Sequence, residues 1–364
     1  MADETSTNNV QNVQNRYRVV PEELASRLKN FKSDHPVKIM EVCGTHTVAI
    51  HRFGIQRLLP PDVKLVSGPG CPVCVTPDSY IDEAVFLGRE GFILATFGDM
   101  IRVPGTFTSL EKERAEGREI KIVYSPLDAL QIAEKTQKNV VFLSVGFETT
   151  TPGIAVTAMQ AKERGIRNFF ILTANRLVPP ALTALILGDS HLNGFLLPGH
   201  VSTVLGVTGY AFLQGLHIPG VIAGFEPVDM VSSIIRLLEL IKDNHASIEN
   251  NYKRVVRDEG NPKSLELIKT VFEEVDAEWR GLGTIPQSGL KLKREYESLD
   301  VRKQADIKIP EREKQSGCKC GDVLRGLIDP PQCPLFGKRC TPDSPIGPCM
   351  VSSEGSCSAW YRYG

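Results

Sequence analysis

Short apolar segments that alternate with helical patterns limit this chain to very few folds. The segments are VKIMEV (37–42), VKLVSG (63–68), FILATFG (92–98), IKIVY (120–124), VVFLSVG (140–146), FFILTA (169–174), GFLLPG (194–199) and VIAGF (221–225). Their Val, Ile, Leu and Phe residues are largely consecutive, which is typical of strands covered on both faces. Helices are predicted around them, at residues 20–31, 127–136, 153–164, 179–187 and 202–214. This alternation predicts an α/β fold with parallel sheets, whose functional loops follow the carboxyl ends of the strands.

The chain has 364 residues, more than a single hydrophobic core usually supports. We expect a disordered polar tail at residues 1–16, an α/β domain at 17–135 and a second α/β domain at 136–233. Residues 234–364 are expected to be helical as far as about residue 314, with few strand signals, and rich in Cys, Pro and Gly beyond residue 317. Because such a segment buries little apolar surface, bound metal would supply the missing stability.

Charge and composition exclude several classes of protein. The formal net charge is −1, whereas a nucleic-acid-binding surface needs clustered Lys and Arg. Residues 1–14 lack the apolar stretch of a secretory signal, and no segment approaches the roughly 20 apolar residues that span a bilayer. We therefore expect a cytoplasmic protein that binds neither nucleic acid nor a membrane.

Six of the nine cysteines lie near the carboxyl terminus, in the pattern C-x-C-x12-C-x6-C-x8-C-x7-C. They are Cys318, Cys320, Cys333, Cys340, Cys349 and Cys357. A reducing compartment argues against a disulfide framework and favours metal binding or redox chemistry. Zinc sites usually show paired knuckles, which are absent here, whereas iron–sulfur clusters accept variable spacing. The pattern favours an iron–sulfur cluster over zinc or inert cysteines, and spacing alone does not select its four ligands.

The segment GPGCPVC places Cys71 and Cys74 in a C-x-x-C motif. Thr76-Pro77-Asp78 then predicts an N-cap, a proline at the first helical position and an acid in the first turn. Thiols beside the start of a helix tend to have a lowered pKa, which favours a reactive dithiol. Half of a zinc knuckle, or two small buried residues, are the alternatives.

The segment CGTHT puts Cys43 and His46 on the loop after the first predicted strand. A single cysteine there could be a small buried hydrophobe. A thiolate beside a histidine, however, suits nucleophilic catalysis or the binding of a soft metal. Asp99, Glu148 and His200 also follow predicted strands, so they are further candidates, although each could simply cap a helix or stabilise the fold.

The strings MEVCGTHTVAIHRFGI, SGPGCPVCVTP, VGFETTTPG, LLPGHVS and CPLFGKRCTPDSPIGPCMVSSEGSC occur in this order from residue 40 to 357. Together they resemble the HypD family of hydrogenase maturation factors. The resemblance implies two α/β domains with Rossmann-like parallel sheets, plus a small cysteine-rich domain that holds a 4Fe-4S cluster. It also implies a scaffold that assembles the Fe(CN)2CO unit of NiFe-hydrogenases with the chaperone HypC, while HypE donates cyanide.

The same resemblance assigns roles to residues. Cys43 would bind the iron, and Cys71 with Cys74 would form a redox-active pair. We add the hypothesis that His46 and Asp99 hydrogen-bond or relay protons beside Cys43. By similarity to ferredoxin–thioredoxin reductase, the cluster ligands would be Cys318, Cys333, Cys340 and Cys357, and the spare thiols Cys320 and Cys349. Two rival functions remain at this point: a general thiol–disulfide oxidoreductase, and a zinc-stapled adaptor without redox chemistry.

Overall fold

The structure, a computed structural model, describes residues 19–309 and 317–364, so the tail predicted at residues 1–16 lies outside the described residues. Its strands are β1 (Val37–Glu41), β2 (Val63–Ser67), β3 (Ile93–Thr96), β4 (Ile120–Ile122), β5 (Val140–Gly146), β6 (Phe169–Asn175), β7 (Gly194–Pro198), β8 (Gly220–Ala223), β9 (Ile248–Asn250), β10 (Phe272–Trp279) and β11 (Gly283–Leu292). All eight strands predicted from apolar segments are confirmed.

The helices lie between and after these strands. They are α1 (Glu22–Lys29), α2 (Gly44–Arg52), α3 (Pro72–Val75), α4 (Asp78–Arg89), α5 (Leu110–Ala115), α6 (Pro126–Glu134), α7 (Thr151–Glu163), α8 (Val178–Leu187), α9 (Gly199–Leu205), α10 (Phe212–Gly215), α11 (Pro227–Lys242), α12 (Pro262–Val271), α13 (Val301–Gln304), α14 (Cys320–Leu324), α15 (Pro348–Val351) and α16 (Ser356–Tyr363). Within the described residues, no helix combines the length and apolar character that a membrane crossing requires.

Two parallel sheets form the framework. One has the strand order β2-β1-β7-β8-β9 and the other β4-β3-β5-β6. Every residue of β5 and β6 is buried, because helices cover both faces of a parallel sheet. The predicted α/β class, with Rossmann-like parallel sheets and a separate cysteine-rich segment, is confirmed.

The strands of each sheet do not follow the boundaries expected at residues 135 and 233. β1 pairs with β7, and β3 pairs with β5, so each sheet combines strands from both sides of residue 135. The four-stranded sheet is thus inserted between β2 and β7 of the five-stranded one. The order of strands and helices along the chain does not reveal which strands pair, because pairing between distant strands depends on tertiary packing.

Two local expectations are wrong. The supposedly helical segment after residue 234 contains an antiparallel hairpin, in which β10 pairs with β11. Trp279 ends its first strand, stacks on Phe147 with ring centroids 6.0 Å apart, and donates a hydrogen bond to Ser288. The helix predicted at residues 202–214 is broken at Gly206, whose φ of 66° lies outside the helical range.

Candidate thiol and metal centre

Cys43 lies where β1 ends and α2 begins. It is the N-terminal capping residue of α2, and the backbone N–H groups of His46 and Thr45, in the first turn of that helix, act on its sulfur and favour the thiolate. Burial raises the pKa of the Cys43 thiol to about 12. The thiol is therefore protonated at neutral pH, and the two N–H donors would stabilise the thiolate that remains once an iron atom displaces the proton.

Glu41 supports this loop from within β1. Its carboxylate accepts hydrogen bonds from the backbone N–H of Cys43, at 3.0 Å, and from the hydroxyl of Thr47. Burial raises the pKa of Glu41 to about 7. Sequence analysis missed this residue, although a carboxylate at the end of a buried strand, directly before the CGTHT segment, was an available signal.

The Nε2 atom of His46 points to the end of β8. It lies 3.2 Å from the carbonyl of Ala223 and 3.1 Å from that of Gly224. Since both partners are acceptors, Nε2 carries the proton and donates. Burial lowers the pKa of His46 to about 4, so the ring is neutral at pH 7. The side chain thus binds the end of β8, and its predicted role beside Cys43 stays a prediction.

His200 is brought near this loop by β7. It stacks on Phe225, with ring centroids 4.0 Å apart, and the same Phe225 ring lies 5.0 Å from His46. The imidazole of His200 is exposed. Burial of part of the ring lowers its pKa. His200 thus lies at the surface close to the Cys43 loop.

The GPGCPVC loop packs directly on the CGTHT loop. A Cβ atom at Gly70 would lie 2.1 Å from the backbone nitrogen of Cys43, so only glycine permits this approach. The carbonyl of Gly70 accepts a hydrogen bond from the N–H of Gly44, at 3.1 Å. The two amino-terminal cysteine motifs therefore form one unit.

The C-x-x-C motif differs from the sequence prediction in two ways. Cys71 caps the short helix α3 and its sulfur accepts from the N–H of Cys74 at 3.3 Å, whereas Thr76 ends α3 and Pro77 precedes α4. The expectation of a lowered thiol pKa is wrong for Cys74, because its complete burial raises the pKa.

Asp99 lies across a cleft from the C-x-x-C motif. The cleft has a volume of about 300 Å³, and its lining includes Cys71, Asp99, Tyr124 and Glu354. A carboxylate oxygen of Asp99 accepts a hydrogen bond from the hydroxyl of Ser352, at 3.5 Å. Asp99 thus belongs to the wall around Cys71, and its predicted role beside Cys43 stays a prediction.

Glu148 is buried behind the same cleft. Its Oε1 accepts a hydrogen bond from the N–H of Val178, at 2.9 Å, where α8 begins. Its Oε2 has no hydrogen-bond partner within the described residues. Burial raises the pKa of Glu148 to about 7. Glu148 therefore joins β5 to α8, consistent with the structural alternative considered for it.

The tail cysteines converge on a small enclosed cavity. Cys318, Cys320, Cys333, Cys340 and Cys357 line it, together with apolar residues including Val323, Leu335, Phe336 and Met350. Gly347 closes it: a Cβ atom there would lie 2.6 Å from the Cys318 sulfur and 2.9 Å from the Cys320 sulfur. The four proposed cluster ligands are thus near one another, with Cys320 among them.

Cys349 lies outside that cavity and joins it to the C-x-x-C motif. Its thiol lies near those of Cys320 and Cys74 and interacts with both. The underlying packing is direct, because α15, which carries Cys349, contacts α3, which carries Cys74. The thiols of Cys71, Cys74, Cys349 and Cys320 therefore form a continuous chain of contacts, which we call the thiol junction.

The donor set suits an iron–sulfur cluster. Five thiols face an apolar cavity, and thiolates are the ligands that such clusters use. As the side chains stand, the described residues contain no group of three or more His, Cys, Asp or Glu arranged around a single metal ion. The fit therefore rests on the chemistry of the donors and on the space that Gly347 leaves beside two of them.

The cysteine-rich segment also contacts the loop that carries Cys43, the candidate iron ligand. Glu354 accepts a hydrogen bond from the hydroxyl of Thr45 at 2.7 Å, and its backbone packs against Gly44. In addition, α16 packs on α2, with the rings of Trp360 and His51 4.7 Å apart. Sequence analysis missed Glu354, because nothing in the local pattern links residues so distant in the chain.

Known proteins resemble this chain over nearly its whole length. The HypD family model, described as the hydrogenase formation hypA family, matches residues 19–364. The hydrogenase maturation factor HypD of Rhodobacter capsulatus is 44% identical over 342 residues, which cover 91% of this chain and 90% of that protein. HypD of Escherichia coli is 43% identical over 346 residues, covering 94% and 92%. A putative hydrogenase expression/formation protein of Methanocaldococcus jannaschii is 41% identical over 329 residues, covering 90% and 92%.

Proposed function

Since this chain belongs to the HypD family and has a role in hydrogenase maturation, we propose that it is the scaffold on which the Fe(CN)2CO unit of NiFe-hydrogenases is assembled. A HypC-type chaperone would share the iron, and a HypE-type enzyme would supply cyanide. The observation that carries the proposal is the meeting of three cysteine-bearing segments, in which the Cys43 loop contacts both Gly70 and Glu354.

Cys43 is the residue proposed to bind the substrate iron. A thiolate is a soft, electron-rich ligand, and it suits iron that also carries cyanide and carbon monoxide. Because burial raises the thiol pKa to about 12, iron has to displace a proton to bind. The N–H groups of Thr45 and His46 stabilise the resulting negative charge, and the Glu41 carboxylate fixes the backbone of Cys43.

The thiol junction is proposed to supply reducing equivalents beside that iron. Cys74 contacts both Cys71 and Cys349, so it has two possible disulfide partners. Oxidation of either pair forms one S–S bond and releases two electrons and two protons. A 4Fe-4S cluster, when bound by Cys318, Cys333, Cys340 and Cys357, would exchange single electrons near this junction.

The iron site is tested with Cys43→Ala in the full chain, purified without oxygen in complex with a HypC-type partner. We expect the infrared bands of iron-bound CN⁻ and CO to disappear and Mössbauer spectra to lose the corresponding iron signal. Arg52→Ala is the control, because Arg52 is exposed at the far end of the same helix. Retention of both sets of bands in Cys43→Ala would refute the proposal.

The cluster assignment has its own test. Cys333→Ala should remove the brown colour, the absorbance near about 400 nm and the acid-labile sulfide that mark an iron–sulfur cluster. Cys349→Ala should retain them, because Cys349 does not line the cavity. A protein that contains zinc and no sulfide would instead support the zinc-stapled adaptor.

A further inference from the structure

Arg280 is a buried cation placed between the two cysteine-bearing parts of the thiol junction. It lies in the turn that joins β10 to β11, and its side chain is 12% exposed. Its backbone N–H donates to the carbonyl of Val75, at 2.8 Å, immediately after Cys74. Its Nη2 donates to the carbonyl of Pro104, at 2.9 Å. One side of the turn is thereby held against the C-x-x-C motif.

The other side of the turn touches the tail. Gly281 has a φ of 78°, and a Cβ atom there would lie 2.4 Å from the Cα of Gly321. Gly321 directly follows Cys320, so the backbones of the turn and of the cysteine-rich segment are in contact. Arg280 is thus fixed between Cys74 on one side and Cys320 on the other.

One carboxylate and four thiols surround Arg280. Asp78 forms an ion pair with the guanidinium. The thiols of Cys320, Cys349, Cys318 and Cys74 interact with it electrostatically. Nη1 is buried and has no hydrogen-bond partner within the described residues. Arginine stays protonated in proteins, so a fixed positive charge faces this group of thiols.

We propose that Arg280 is a positioning residue that favours the reduced thiol junction over its disulfide form. The inference rests on the redox role proposed above for Cys74. A disulfide is neutral, whereas its reduction adds two electrons and two protons and gives two thiols, for which burial disfavours the negative charge of the ionised form. A nearby cation stabilises that charge, and stabilising the reduced form makes a disulfide more oxidising.

The test is a redox titration of the full-length, anaerobically purified chain in buffers of reduced and oxidised dithiothreitol. Reduction breaks the protein S–S bond, and dithiothreitol is oxidised to its cyclic disulfide. The fraction of Cys74 in a disulfide is read by acid quenching, differential alkylation and peptide mass spectrometry. We expect Arg280→Gln to lower the equilibrium constant for reduction about tenfold, which is about 30 mV for a two-electron couple.

Two further variants separate charge from packing. Arg280→Lys keeps the charge and should stay within about threefold of the wild type, which also tests the idea if Arg280→Gln fails to fold. Asp78→Asn removes the counter-charge and should shift the equilibrium about threefold in the opposite direction. A merely structural role would not give shifts of opposite sign.

Arg176→Gln is the matched control. Arg176 is also a buried arginine bound to the hairpin, through the carbonyl of Glu278, but its charge interacts with Tyr80 and Arg302 and with none of the thiols. If Arg280→Gln titrates like the wild type, or Arg280→Lys shifts as far as Arg280→Gln, the inference is wrong while the proposed function stands. If the wild-type chain never forms a disulfide at Cys74, the redox part of the proposed function fails together with it.

Discussion

The thiol of Cys74 lies beside the thiol of Cys349 and interacts with it, and this contact joins the amino-terminal C-x-x-C motif to the cysteine-rich tail. Both side chains are completely buried. This contact gives the tail a possible role besides the metal binding proposed for it. It places a second oxidisable partner beside Cys74, in addition to Cys71.

This contact predicts which disulfides the protein can form. Mild oxidation of the full chain should place most of Cys74 in a disulfide, with either Cys71 or Cys349. In Cys349→Ser only the Cys71–Cys74 disulfide should remain, and in Cys71→Ser only Cys74–Cys349. Peptide mapping after denaturing alkylation provides the measurement. Recovery of Cys74 as a fully alkylated thiol in all three proteins would contradict the prediction.

Glu148 predicts a pH dependence of stability. Burial raises its pKa in the folded protein from an ordinary value of 4.5 to about 7. The folded state therefore binds this proton more tightly than the unfolded state does. The resulting contribution of Glu148 to the free energy of unfolding is fully present below the unfolded pKa, and it is lost as the pH rises through about 7. The shift corresponds to about 3 kcal/mol between pH 4 and pH 8.

The measurement is the free energy of unfolding of Glu148→Gln and of the wild type at several pH values. The variant cannot ionise, so its stability relative to the wild type should rise by up to about 3 kcal/mol from pH 5 to pH 8. Glu226→Gln serves as a control at a partly exposed carboxyl after another strand. A difference between Glu148→Gln and wild type that stays constant with pH would show that Glu148 ionises normally.

Much of the framework was predictable because parallel strands covered on both faces leave uninterrupted apolar segments. The ends of these segments then locate the three motifs at Cys43, Cys71 and Glu148 in the sequence. The pairing of β1 with β7 was not predictable, since neither strand carries a signal for its neighbour. Strand pairing depends on packing over long sequence separations.

The candidate site was predictable in its residues more than in its geometry. The sequence pattern identified the cysteines as candidate site residues. It did not indicate that Cys349 would lie outside the tail cavity and contact Cys74. The raised pKa of Cys74 follows from burial, which local motifs do not report. Arg280 comes from a turn that sequence analysis read as part of a helical region, so its approach to the thiols had no local signal.

The β10–β11 hairpin is expected to depend on Trp279. This side chain is buried, stacks on Phe147 and donates to the hydroxyl of Ser288 at 2.8 Å. Trp279→Ala should lower the free energy of unfolding by about 3–5 kcal/mol, because it leaves a cavity and removes the hydrogen bond to the Ser288 hydroxyl. Chemical denaturation measures this, with Leu187→Ala as a control at a side chain that is 75% exposed. A loss below about 1 kcal/mol would mean that the hairpin does not depend on this contact.

A substitution at Gly347 tests whether the tail cavity holds a cluster. It reduces the space in the cavity without removing any thiol. Gly347→Ala leaves all nine cysteines in place, yet its Cβ atom would lie 2.6 Å from the Cys318 sulfur and 2.9 Å from the Cys320 sulfur. Those sulfurs have to move, so we expect iron and acid-labile sulfide to fall severalfold while the parallel sheets stay folded, as followed by circular dichroism. Gly153→Ala is the matched control, because its Cβ atom would meet nothing within 4 Å. Normal iron and sulfide in Gly347→Ala would mean that any cluster is bound away from this cavity.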